Sequence, residues 1–99
     1  CILVDDIVDS AGTLCNAAAA LIEAGAASAT AYVTHGVLSG GAVARVDGSA
    51  LTELVVTDTI AAVAAVKQAQ KVRRITVAPL LAEAMRRTNE ESSVSSLFD

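Results

Sequence analysis

The stretch Val4-Asp5-Asp6-Ile7-Val8-Asp9-Ser10-Ala11-Gly12-Thr13-Leu14 decides how the rest of the chain is read. The run over 1–5 (CILVD) is apolar until its closing acid, the pattern of a strand buried on both faces. Residues 6–12 read as a short turn. From Thr13 to Ala24 the apolar positions Leu14, Ala17, Ala18, Leu21 and Ile22 then recur at helical spacing, and Gly25 stands where a helix stop is wanted.

The same strand–turn–helix unit repeats outward from there. Strands are predicted over 30–34 (TAYVT), 53–57 (ELVVT) and 74–78 (RITVA), with helices over 42–46 and 60–70 and a last one from Pro79 to about Thr88. Ile60, Val63 and Val66 form one stripe of the 60–70 segment. Strands alternating with helices through short connections imply an α/β fold: a parallel sheet of about four strands with flanking helices and right-handed crossovers. One domain is expected over 1–90, followed by a polar, serine-rich tail over 91–99. The chain opens inside a strand pattern, so it is expected to be incomplete at its N-terminus and part of a longer protein. An exposed apolar edge and self-association follow from that expectation.

Composition narrows the function classes. Apolar residues make up 54% of the 99, yet Tyr32 and Phe98 are the two aromatics, so the core must come from Ala, Val, Leu and Ile. A net charge of −4 without a basic tract argues against nucleic acid. No apolar run approaches the ~18 residues of a membrane span, and no secretory signal pattern is present. Cys1 and Cys15 are read as buried small hydrophobes of a reducing, cytoplasmic setting rather than as a disulfide. His35 has no evident companion ligands, which argues against zinc, and it is read as a strand-end histidine capping a loop. Asp58 and Thr59 are read as turn chemistry first.

The chemistry concentrates in the opening stretch. A strand there delivers two carboxylates, Asp5 and Asp6, and a tight loop leads straight into a helix N-terminus. Backbone N–H groups from Ser10 to Thr13, the helix dipole, and the hydroxyls of Ser10 and Thr13 together make an anion cradle, with Gly12 allowing close approach. Carboxylates beside such a cradle would repel a bare phosphate but suit vicinal hydroxyls. Phosphate in the loop and hydroxyls on the acids describe a sugar phosphate, and the acids are also candidate oxygen ligands for Mg²⁺. The residues alone leave open a solvated strand edge followed by ordinary N-cap chemistry.

The stretch Asp5-Asp6-Ile7-Val8-Asp9-Ser10-Ala11-Gly12-Thr13 resembles the phosphoribosyl-pyrophosphate loop of type I phosphoribosyltransferases and ribose-phosphate pyrophosphokinases. That motif has two acids, two apolar residues, then Asp-Thr-Gly-Gly-Thr or a close variant. Ser10 keeps the hydroxyl, and Ala11, in place of the first glycine, is expected at an ordinary negative φ. Later segments resemble the pyrophosphokinases in particular: Thr34-His35-Gly36-Val37-Leu38-Ser39-Gly40, Val56-Thr57-Asp58-Thr59-Ile60, Val77-Ala78-Pro79-Leu80-Leu81-Ala82-Glu83-Ala84 and Ser92-Ser93-Val94-Ser95-Ser96-Leu97-Phe98.

The resemblance implies that this is the C-terminal, ribose-5-phosphate-binding part of an enzyme that transfers pyrophosphate from ATP to ribose 5-phosphate, with Mg²⁺ spreading the developing charge. It implies that Asp5 and Asp6 hold the ribose 2- and 3-hydroxyls, and that Asp9, Ser10, Ala11, Gly12 and Thr13 cradle the 5-phosphate. No catalytic residue is assigned within the chain. The resemblance further implies a homo-oligomer, an ATP-binding part outside this chain, and Ser93 and Ser95 as contacts for an allosteric anion. The chain alone is expected to bind ribose 5-phosphate weakly and to lack kinase activity. Two alternatives stay close: a phosphoribosyltransferase, and a non-catalytic regulatory homologue of the synthase. A phosphoacceptor receiver domain fits poorly, because no Lys follows the fourth predicted strand.

Overall fold

The computed structural model describes residues 1–61, 66 and 69–90. Four parallel strands, β1 (Ile2–Val8), β2 (Thr30–Gly36), β3 (Glu53–Thr57) and β4 (Val72–Ile75), lie side by side in sequence order. Helix α1 (Gly12–Glu23) joins β1 to β2, and α2 (Ala42–Asp47) joins β2 to β3. Helix α3 (Ala78–Asn89) follows β4 and carries Pro79 in its first turn, where a missing N–H costs nothing. Most of the helix predicted over 60–70, including Val63, lies outside the described residues, as do the tail and its Ser93 and Ser95. Within 60–70, Val66 is buried in the core. The α/β class and the parallel sheet match the sequence reading.

Strand register sets which side chains meet. Leu3 stands opposite Ala31, Ala31 opposite Leu54, and Leu54 opposite Val72. The two-residue pleat puts these with Val33 and Val56 on one face. That face forms the core with Cys15 and Ala18 of α1, Val43 and Val46 of α2, and Leu51. Among the described residues the other face is more exposed, Ile2 at 68%, Val4 at 79% and Ile75 at 46%, with Val55 buried at its centre.

Three expectations about the strands need correction. β1 is not buried on both faces, because α1 and α2 cover one side of the sheet. Its pairing with β2 extends through Ile7–His35 to Val8–Gly36, so Asp5 and Asp6 stand within the strand and the turn starts only at Asp9. β4 begins at Val72 rather than Arg74, since Val72 is the residue that pairs with Leu54 and packs against the core. Both cysteines are free thiols, as read, but Cys1 is exposed and only Cys15 is buried.

Helix α1 ends as its sequence suggests. Gly25 has φ 108, and the N–H groups of Gly25 and Ala26 donate to the Ile22 and Leu21 carbonyls at 3.1 and 3.0 Å. This paired closure needs a residue at ease in the left-handed region. No described helix is long and apolar enough to cross a membrane.

Candidate functional site

The β1–α1 connection is three residues long, Asp9 to Ala11, and its last residue carries the geometry of the site. Ala11 has φ 66 and ψ 6, a left-handed conformation, directly before the right-handed residues of α1. This corrects the expectation of a negative φ for Ala11. A glycine would take the conformation without strain, whereas a Cβ costs on the order of 1–2 kcal/mol there. Ala11 is 5% exposed and belongs to the core cluster, so packing of the surrounding residues holds it in place.

A left-handed residue followed by a right-handed one turns successive backbone N–H groups toward a common point, the arrangement called a nest. The N–H groups of Gly12, Thr13 and Leu14 meet no acceptor among the described residues, and no side chain caps the helix. The first turn of α1 carries no acidic residue, so no side chain of that turn compensates the positive end of its dipole. These features make the helix entrance an attractor of negative charge.

A cavity of about 420 Å³ opens at this entrance. Asp5, Asp9, Ser10, Ala11, Gly12 and Thr13 all line it, together with apolar groups that include Leu3 and Leu14. The structure thus brings six of the seven proposed sugar-phosphate contacts to one cavity wall. Asp6 is not among the lining residues. Its N–H donates to Asp5 Oδ1 at 2.8 Å, which helps orient the Asp5 carboxylate.

Two residues missed by the sequence reading brace this loop from outside. Ser39 Oγ donates to Asp9 Oδ1, and Arg45 Nη1 donates to the Ser10 carbonyl. The N–H groups of Val37 and Leu38 share the Val8 carbonyl at 2.9 and 3.2 Å. These partners are 30 and 35 residues from Asp9 and Ser10, so no local sequence signal could have exposed them.

The other polar strand ends form a separate group. His35 Nδ1 lies 2.7 Å from Thr59 Oγ1, and Thr57 Oγ1 donates to the Thr34 carbonyl at 2.5 Å. Asp58 accepts the Val77 N–H at 2.9 Å. The Thr76 hydroxyl, then that N–H, holds its carboxyl below the usual range. These contacts tie β2, β3 and the entry to α3 together, which agrees with reading His35, Asp58 and Thr59 as capping and turn chemistry.

Comparison with known proteins decides the family. The phosphoribosyl synthetase-associated domain matches residues 1–99. The chain belongs to that family. It is 69% identical over 99 residues to the ribose-phosphate pyrophosphokinase of Granulibacter bethesdensis, covering 100% of this chain and 32% of that protein. The ribose-phosphate pyrophosphokinase of Rhizobium meliloti is 65% identical, again over 100% of this chain and 32% of the relative. Among solved structures, the phosphoribosylpyrophosphate synthetase from Mycobacterium smegmatis superposes with a TM-score of 0.85 at 36% identity, covering 93% of this chain and 30% of that one. The chain therefore spans about a third of the length of these relatives. The β1–α1 loop and its cavity are thus features of a phosphoribosyl synthetase-associated domain.

Proposed function

We propose that this domain binds ribose 5-phosphate for an enzyme that transfers pyrophosphate from ATP to that sugar, making phosphoribosyl pyrophosphate for nucleotide synthesis. The observation that carries the proposal is the left-handed Ala11 running directly into α1 beside Asp5. Converging amides take the 5-phosphate, helped by the Ser10 and Thr13 hydroxyls, and Asp5 accepts hydrogen bonds from the ribose hydroxyls. Asp6 joins it only for a ligand that extends beyond the residues lining the cavity. Within the cavity, the chain's part in the reaction is to hold and orient the sugar so that its anomeric hydroxyl faces the nucleotide.

The likeness to named pyrophosphokinases supports this reading over a phosphoribosyltransferase. ATP binding falls to the two thirds of such enzymes that this chain does not span. Mg²⁺ fits the described residues only in part: no cluster of three His, Cys, Asp or Glu side chains is placed to hold a metal ion, and Asp6 is not among the residues that line the cavity with Asp5. A Mg²⁺ entering with the nucleotide would keep waters and phosphate oxygens as its ligands and neutralise developing charge. A homo-oligomeric, cytoplasmic enzyme accompanies this reading, and its assembly would cover apolar surface such as the more exposed sheet face.

Calorimetric titration of the chain with ribose 5-phosphate, ribose and inorganic phosphate tests the proposal. Ribose 5-phosphate is expected to bind more tightly than either fragment, and equal affinity for all three would refute it. With ATP and Mg²⁺ added, no chain-dependent release of AMP is expected.

A further inference from the structure

The cradle's geometry depends on the direction of one peptide plane. In a trans peptide the C=O and the following N–H point in opposite directions, so the Ser10 carbonyl and the Ala11 N–H form a single pointer. Were this unit reversed, Ala11 would leave its left-handed φ, and the amides that follow it would no longer converge. Ala11 is strained in its left-handed state, so the loop needs an outside restraint to keep that orientation.

Arg45 supplies one. It sits on α2, and its Nη1 donates to the Ser10 carbonyl across 35 residues of chain. The α2 backbone is itself tied to α1, since Cys15 Sγ donates to the Arg45 carbonyl at 3.8 Å. Arg45 is not among the residues lining the cavity, and its contact with the loop is through the Ser10 carbonyl. Its guanidinium makes no salt bridge with a carboxylate among the described residues, which leaves it committed to a backbone carbonyl.

We infer that Arg45 is a positioning residue for the phosphate end of the sugar: by holding the Ser10 carbonyl outward it keeps Ala11 left-handed and with it the Gly12, Thr13 and Leu14 amides in their converging arrangement. This rests on the reading of the cavity as a ribose 5-phosphate site. The reach is specific to a long donor. A lysine in place of Arg45 would still donate to the carbonyl, whereas a methionine fills similar space without a donor.

The test uses the whole chain, with calorimetry for ribose 5-phosphate and nuclear magnetic resonance for the loop. The dipolar coupling between the Ala11 amide and α protons, read as their intraresidue nuclear Overhauser effect, is strong only at positive φ and reports it without any ligand. For Arg45→Met the inference expects that coupling to move toward an averaged value. It also expects ribose 5-phosphate affinity to fall about tenfold, the size of one charge-assisted hydrogen bond, with the melting temperature nearly unchanged. Arg45→Lys should restore both readouts to within about threefold of the original affinity. Unchanged coupling with reduced affinity would mean direct contact with the phosphate and would overturn the positioning role. Unchanged coupling and affinity would overturn it while leaving the site reading intact. If the original chain fails to bind ribose 5-phosphate, the site reading falls, and a coupling change in Arg45→Met then marks a structural brace only.

Discussion

The β1–α1 and β2–α2 connections leave the same end of the sheet from neighbouring strands, and each contains a non-glycine residue with positive φ. Ala11 has φ 66 and Leu38 has φ 54, yet the two turns do opposite work. After Ala11 the chain enters the twelve-residue helix α1 at once, and its first amides open onto a cavity. After Leu38 come Ser39, Gly40 and Gly41 before the six-residue α2, and the amides of Val37 and Leu38 are already used on the Val8 carbonyl. The Leu38 side chain is 3% exposed. One strained turn keeps its donors free, and the other commits them to holding the first. Positive φ alone therefore does not leave donors free; what distinguishes the first turn is unsatisfied amides beside a cavity.

Substitutions can separate the two roles. The largest effect is expected for Leu38→Ala, which removes a buried side chain from the supporting turn and should lower unfolding free energy by about 2–5 kcal/mol. Denaturant titration measures it, and a loss below ~1 kcal/mol would show that Leu38 does not anchor this turn. Next is Thr13→Val, which keeps the shape and removes a hydroxyl at the cavity. Ribose 5-phosphate affinity should fall by about 1.5–3 kcal/mol, the range for hydrogen bonds to charged groups, with little change in melting temperature. Affinity equal to the original would count against the cradle.

Ala11→Gly should move stability the other way. Relief of about 1–2 kcal/mol of left-handed strain, less the ~0.5–1 kcal/mol entropy cost of glycine, leaves a gain of about 0.5–1 kcal/mol. A lower melting temperature would mean that the Ala11 methyl is worth more to the core than its conformation costs. The smallest effect lies away from both turns. Hydrogen bonds from Arg86 and then Arg87 lower the Glu83 pKa to about 2 from 4.5. A lowered carboxyl contributes stability above its unfolded value and loses it as pH falls through its folded one. Helix α3 should therefore loosen between about pH 4.5 and 2, followed by its amide resonances. High salt should weaken the effect, because these pairs are exposed.

Much of the molecule could be read without coordinates because its signals are local. The alternation of apolar runs with alanine-rich segments named the α/β class, Gly25 marked the end of α1, and Pro79 marked the first turn of α3. The segment from Asp9 to Thr13 was legible as a candidate cradle for the same reason: hydroxyl, glycine and helix start fall within a few residues. Other features depend on partners far along the chain. The reach of β1 to Val8 follows from pairing with β2, and the start of β4 follows from the need to place Val72 against Leu54. The exposure of Ile2 and Val4 follows from α1 and α2 both packing into the one core cluster on the opposite face.

The residue order alone therefore determined the α/β class, the helices after β1 and β4, and a short loop with candidate anion-binding chemistry, because helix periodicity, turn residues and helix ends act over a few positions. Only tertiary structure decided that Ala11 is left-handed, that Asp5 lines the cavity while Asp6 does not, and that Arg45 and Ser39 hold the loop. Those outcomes depend on strand register and on contacts 30 and 35 residues apart, where packing of the whole sheet overrides the preference of any single residue.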